Sequence, residues 1–236
     1  MFKKAVLIVH GFAGGIYDEE PLARYLQLNK NLDVFSFTLP GHESTNRIKN
    51  KYTDWIEESE RQVEFLINNN YKHIYVIGHS MGGVIASYLA TKYKEIKKLV
   101  LVAPAFKYFY DKDDKLLNVI KKGNSIMKDY GYETIAGRIL KASISSVKEF
   151  MTLVKTYNNT PQDIKIPTLI IQGLDDKVVP IESSKYVYES LKGPKKLVYV
   201  KDCTHDVFKG PNTELINQII EKFLVEGIKN CSIITV

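Results

Sequence analysis

The chain of 236 residues predicts a doubly wound α/β fold built on a mostly parallel sheet. Of six short β-rich runs, most are continuously apolar instead of alternating, the pattern of strands buried on both faces. Helical patterns lie between most of them, and strand–helix alternation packs as right-handed crossovers on a parallel sheet. The length is that of one large domain with a single core.

Each element has its own signal. The first strand is read at 5–9 and runs into the glycine-rich stretch His10-Gly11-Phe12-Ala13-Gly14-Gly15. A helix follows over 19–30, with Leu22, Tyr25, Leu26 and Leu28 at helical spacing. The second strand, 32–39, ends at Pro40-Gly41-His42, and an amphipathic helix over 52–70 carries Trp55, Ile56, Val63, Leu66 and Ile67. The third strand, 73–77, is followed by a helix over 83–93, and the fourth strand is 99–102.

There the alternation breaks. Between Pro104 and Ile166 no strand appears, only helical patterns at 115–129, 133–140 and 146–157. A structureless loop of that length does not suit a compact domain. The expectation is a single domain, 1–236, with a small helical lid inserted at about 105–163. The fifth strand (168–171), a helix (181–191), the sixth strand (197–200) and a helix (212–228) complete the alternation. The apolar tail 232–236 either docks or frays.

Composition narrows the function classes. The net charge is +6, but the lysines that supply most of it are scattered; Lys121-Lys122 and Lys195-Lys196 are too short to form a nucleic-acid or membrane patch. Two cysteines, Cys203 and Cys231, make no disulfide framework and suit a reducing compartment. No secretory leader and no stretch of ~20 apolar residues is read, so the expected location is cytoplasmic, without stable membrane insertion.

Chemistry concentrates in Gly78-His79-Ser80-Met81-Gly82-Gly83, between the third strand and its helix. That is the strand–turn–helix context in which Gly-x-Ser-x-Gly becomes a nucleophile elbow. A serine hydroxyl is a weak nucleophile and needs a base, which in turn needs an orienting acid. On such a scaffold the chain order is serine, acid, histidine, and ligands meet the carboxyl ends of the strands. The fifth strand leads into Gly173-Leu174-Asp175-Asp176-Lys177-Val178-Val179-Pro180, and the sixth into Asp202-Cys203-Thr204-His205-Asp206.

Of five histidines, His205 alone follows the last of the six strands and is the expected base. His10 reads as a loop-shaping residue, His42 as structural, His73 as a surface residue, and His79 as pointing away from its neighbour Ser80. Asp175 and Asp176 are adjacent, so only one can face an imidazole, and Asp202 and Asp206 read as loop carboxylates. For the oxyanion, the expected N–H donors are Met81, after the nucleophile, and Phe12, in the loop after the first strand. No Gly-x-Gly-x-x-Gly phosphate fingerprint is present, so nucleotide binding is not favoured, and no metal site is expected.

Together, His-Gly-Phe at 10–12, Leu-Pro-Gly-His at 39–42, Gly-His-Ser-Met-Gly-Gly at 78–83, Gly-Leu-Asp-Asp-Lys-Val-Val-Pro at 173–180 and Thr-His at 204–205 resemble the α/β-hydrolase superfamily over nearly the whole chain. The length and small helical insert resemble its bacterial carboxylesterase and monoacylglycerol-lipase-like branch. The resemblance implies a serine carboxylic-ester hydrolase working through an acyl-enzyme without a cofactor, and its Asp-x-x-Val-Pro pattern favours Asp176 as the acid. Short-to-medium acyl esters are the expected small-molecule substrates. Phe106, Tyr108, Phe109, Tyr110, Ile126, Met127, Ile139 and Leu140 either line an acyl pocket or pack lid on core. Thr204 and Glu43 stand where the family often has glycine, which bears on local loop shape. A thioesterase or acyltransferase would keep the same triad, and a non-catalytic binding protein commonly lacks one of its members.

Overall fold

The computed structural model describes residues 4–43, 50–107, 138–139 and 142–236. Its strands are β1 (Lys4–Val9), β2 (Leu32–Ser36), β3 (Ile74–His79), β4 (Ile96–Val102), β5 (Thr168–Gly173), β6 (Lys195–Val200) and β7 (Ser232–Thr235). Its helices are α1 (Glu20–Gln27), α2 (Tyr52–Asn68), α3 (Met81–Lys92), α4 (Ile144–Tyr157), α5 (Ile181–Ser190) and α6 (Thr213–Glu226), with a 3-10 turn at Thr160–Asp163.

All seven strands are parallel, in the order β2-β1-β3-β4-β5-β6-β7. The six expected strands are all present; the seventh is an addition to the sequence reading. It is formed by the tail, which docks in parallel on β6 with Leu197 opposite Ile233 and Val198 opposite Ile234. Four residues at a sheet edge, alternately half-buried and exposed, carry too little pattern to announce a strand. What holds them is the row of backbone groups that β6 would otherwise leave unpaired.

Period-two alternation along the strands divides the core between two faces. Ala5, Leu7 and Val9 of β1 face one way and pack with Trp55, Val63 and Leu66 of α2, Val84, Ile85 and Leu89 of α3 and Val187 of α5. Val6 and Ile8 face the other way, onto Leu22 and Leu26 of α1 and Ile216, Ile220, Phe223 and Leu224 of α6. The i, i+4 spacing of these helix residues is what lets one helix face cover the sheet.

Of the stretch expected as a lid, α4 is described in full. Ser143 caps it by accepting the Ser146 N–H at 3.2 Å. Its buried Phe150, Leu153 and Val154 join the core beside α2 and α3, and the Glu149 carboxylate accepts the Tyr52 N–H at the start of α2. Arg138 and Ile139 are helical. Phe106 is buried in the same core and Ile139 packs against it. The helix expected at 115–129, most of that at 133–140, and Tyr108, Phe109, Tyr110, Ile126, Met127 and Leu140 lie outside the described residues.

The strand order places the site. The chain winds outward in one direction from β1 to β2 and in the other from β3 to β7, so the loops leaving β1 and β3 part at a switch point. In open α/β sheets ligands meet the carboxyl ends of the strands at such a point. The glycine-rich 10–15 loop and the Gly78–Gly83 turn flank it.

Candidate active site

Ser80 sits between β3 and α3 with φ 53° and ψ −117°, a conformation L-residues rarely adopt. Its backbone is pinned on both sides. The N–H donates to the Val102 carbonyl at 2.9 Å, and the carbonyl accepts from Gly83 at 3.0 Å and Ala105 at 3.1 Å. The turn is so tight that glycine is required by space: a β-carbon on Gly78 would lie 2.3 Å from the Gly82 carbonyl oxygen, and one on Gly82 2.1 Å from that of Val9. Strain held by surrounding hydrogen bonds and packing is the mark of an over-determined site.

His205 Nε2 lies 3.0 Å from Ser80 Oγ, and His205 Nδ1 lies 2.7 Å from Asp176 Oδ2. A carboxylate only accepts, so the hydrogen belongs on Nδ1, leaving the Nε2 lone pair for the serine hydroxyl. Both the imidazole and the carboxylate are buried. The other oxygen of Asp176 accepts the N–H groups of Val178 and Val179, each at 2.8 Å. Asp175 instead donates its own N–H to the Cys203 carbonyl and is exposed. Three of the sequence-predicted residues are thus in one hydrogen-bonded line, each delivered by the carboxyl end of a different strand: β3, β5 and β6.

The 10–15 loop runs beside the serine. A β-carbon on Gly11 would sit 3.1 Å from Ser80 Cβ and 3.6 Å from its Oγ. Phe12 follows, buried, its ring stacked on Phe150 at 5.3 Å and edge-on to Trp55. Met81 is the first residue of α3, where backbone N–H groups have no acceptor within the helix and the dipole favours negative charge.

The remaining histidines stand outside that line. His10 donates Nδ1–H to the Gly11 carbonyl and accepts the Leu39 N–H at 2.9 Å on Nε2, bracing the two loops. Burial, helped by the neighbouring His42, pushes its pKa down to about 3, so it is neutral. His42 packs edge-on to Phe12 and Trp55, and burial lowers its pKa to about 4. His73 is exposed at the start of β3. His79 is buried and turned away from Ser80, toward Glu19.

Several residues that position the site escaped the sequence reading. Gln172, fully buried at the end of β5, donates Nε2–H to Asp176 Oδ2 at 3.1 Å and accepts the Ser184 hydroxyl at 2.7 Å. Asp18 is buried and accepts from Arg138 and Lys209, each at 2.6 Å. Arg138 also donates Nε–H to the Ala13 carbonyl at 3.0 Å. A polar side chain ending an apolar run was the one available signal for Gln172; the others depend on pairs far apart in sequence. Among the described residues no group of three or more His, Cys, Asp or Glu is placed to hold a metal ion, and no helix is long and apolar enough to cross a membrane.

A family model described as the alpha/beta hydrolase fold matches residues 4–159. The chain belongs to the α/β-hydrolase family. A second model, described as serine aminopeptidase S33, matches residues 137–212 of this α/β hydrolase and so includes Asp176 and His205. Among its relatives is a protein named as an esterase/lipase in Mycoplasma genitalium, 29% identical over 77% of this chain and 75% of the relative. The carboxylesterase of Bacillus subtilis is 24% identical over 94% of this chain and 92% of that one. In structure, a soluble variant of the monoglyceride lipase of Saccharomyces cerevisiae superposes with a TM-score of 0.76 at 18% identity, covering 97% of this α/β hydrolase and 88% of the lipase.

Proposed function

We propose that this α/β hydrolase cleaves carboxylic esters through an acyl-enzyme on Ser80, with His205 as general base and Asp176 as the orienting acid. The observation that carries this reading is the unbroken line Ser80 Oγ, His205, Asp176, with donor and acceptor roles set by the carboxylate. Relatives named as esterases and lipases support the substrate class.

In the first half-reaction His205 Nε2 takes the hydroxyl proton of Ser80 as Oγ attacks the ester carbonyl. The imidazolium then delivers that proton to the departing alcohol as the carbon–oxygen bond breaks. In the second half, His205 takes a proton from the water that attacks the acyl-serine, and the imidazolium returns it to Ser80 Oγ as the acyl–oxygen bond breaks and the acid leaves. Asp176 holds one imidazole tautomer and stabilises the imidazolium, which does not transfer its Nδ1 proton. Phe12 and Met81 main-chain N–H groups hold the oxyanion, each worth about 3 kcal/mol of barrier on the scale of such donors. Short-to-medium acyl chains are the proposed substrates, and no cofactor enters.

Hydrolysis of p-nitrophenyl esters of graded chain length tests the reading. Ser80→Ala should lower kcat by at least ~10³-fold, and a fluorophosphonate probe should label the wild-type protein at Ser80 alone. Full activity in Ser80→Ala, or labelling elsewhere, defeats it. Faster turnover of acyl-thioesters than of matched oxygen esters would redirect the assignment to a thioesterase.

A further inference from the structure

Behind Ser80 and His205 lies a second acid–histidine pair that the reaction above does not use. Glu19 stands at the start of α1 and His79 is the last residue of β3, immediately before Ser80. His79 Nδ1 is 2.8 Å from Glu19 Oε1, and its Nε2 is 3.2 Å from the main-chain carbonyl oxygen of His205. Both side chains are buried, at 2% and 1% exposure. The rings of His79 and His205 lie 5.1 Å apart.

The geometry settles how many protons the pair holds. A carbonyl oxygen only accepts, so His79 Nε2 carries a hydrogen. A second hydrogen must then lie between Nδ1 and Glu19 Oε1, whether as imidazolium and carboxylate or as imidazole and carboxylic acid. Either way the pair has two protons and no net charge. The pKa directions agree. Burial raises that of Glu19; burial lowers that of His79, but the hydrogen bond to Glu19 and its charge more than reverse this. Asp18 and Asp206 face His79 as further acids and His10 lies near as a neutral base. Glu19 Oε2 finds no hydrogen-bond partner among the described residues, a cost seldom kept without a role.

We propose that the Glu19–His79 pair positions His205 by its main chain, while Asp176 positions the same residue by its ring. Neither Glu19 nor His79 touches the reacting atoms; they act through the His205 carbonyl. The inference rests on reading Ser80, His205 and Asp176 as the catalytic triad. It adds a consequence: loss of a proton at alkaline pH leaves a buried negative charge and weakens the grip on the His205 loop.

Three variants test it, read by steady-state kinetics on p-nitrophenyl acetate and by the low-field NMR resonance of the His205 Nδ1 proton. His79→Phe keeps the ring but not the donor, and should lower kcat about 10- to 100-fold with KM within about twofold, the usual scale for a misplaced catalytic group. His79→Gln restores a donor and should recover most of the loss. The His205 resonance should shift or broaden in His79→Phe and return in His79→Gln. Glu19→Gln, whose amide donates to Nδ1, should keep kcat at pH 7 and extend activity to higher pH. Wild-type kcat and resonance in His79→Phe, or a change confined to KM, overturns the proposal. Where His79→Phe does not fold, an alkaline limb unchanged in Glu19→Gln overturns it. Should the wild-type protein hydrolyse no ester, the proposed function falls, and the His205 resonance in the three proteins still decides whether the pair positions that residue.

Discussion

Arg138 donates its Nε–H to the carbonyl oxygen of Ala13, one residue past the proposed oxyanion donor Phe12. Ala13 has φ 56°, a conformation that its neighbours must hold in place. The same guanidinium bonds the buried Asp18, which also takes Lys209 from the loop that carries His205. Arg138 therefore braces the loop that carries the proposed oxyanion donor. Arg138→Ala should lower kcat about 10- to 100-fold through misplacement of that loop, with a smaller change in KM. Arg138→Lys, which has no planar fork to reach both acceptors, should recover only part. Steady-state kinetics on both variants checks this, and an unchanged kcat would show that the brace is dispensable.

Asp176→Asn isolates the tautomer argument. The asparagine keeps the shape and can still accept the Val178 and Val179 N–H groups on its oxygen. Its amide nitrogen would then face His205 Nδ1 as a donor, forcing the ring hydrogen onto Nε2. A protonated Nε2 has no lone pair for the Ser80 hydroxyl. The expected loss in kcat is on the order of 10³–10⁴-fold with the fold intact. Circular dichroism and kinetics, measured together, separate this from unfolding.

Gln172 holds Asp176, the proposed acid, by a hydrogen bond to Oδ2. Gln172→Met keeps the volume but strips the donor from Asp176 Oδ2 and the acceptor from Ser184. Leaving buried polar groups unpaired costs about 1–3 kcal/mol. For a domain of this size each kcal/mol lowers Tm by about 2–4 °C. Thermal melts and kcat should both fall in this variant. A drop in Tm alone would assign Gln172 to stability and not to the site.

The buried neutral histidines predict an acid limb in stability. The folded protein refuses a proton on His10 until about pH 3 and on His42 until about pH 4. An unfolded chain takes those protons near pH 6.5. The unfolded state therefore binds more protons below that value, so this contribution is complete above about pH 6.5 and is lost as pH falls toward 4. Denaturation midpoints at pH 7.5, 6 and 5 should decline in order. His42→Phe, which keeps a ring against Phe12 and Trp55, should show a shallower decline.

Much of this architecture was legible because each signal was local. The 5–9 run had no polar residue to spoil it, and Gly78 and Gly82 are demanded by contacts within one turn and the adjoining β1 strand. Ser80 and His205 could be named because the topology confines such groups to strand ends. Asp176 was separated from Asp175 only by resemblance, and the structure distinguishes them through two N–H groups, from Val178 and Val179, that only Asp176 receives. β7 escaped notice because its stability comes from the edge of β6, which lies more than thirty positions earlier in the chain. Glu19 looked like an ordinary acidic helix start. Its partner His79 is sixty residues away, and no window along the chain contains both.

Ser80 and His205 are 125 residues apart, and the histidine rides on the loop after β6. The proposed site therefore needs β3, β5 and β6 all in place. A refolding or nascent chain that has assembled β1 to β4 already has Ser80 and the 10–15 loop, yet lacks Asp176 and His205, the proposed acid and base. Contacts of such long sequence separation form late and slowly. Recovery of hydrolysis should lag behind recovery of helical signal, and no truncated translation product lacking β6 can act on an ester by this mechanism.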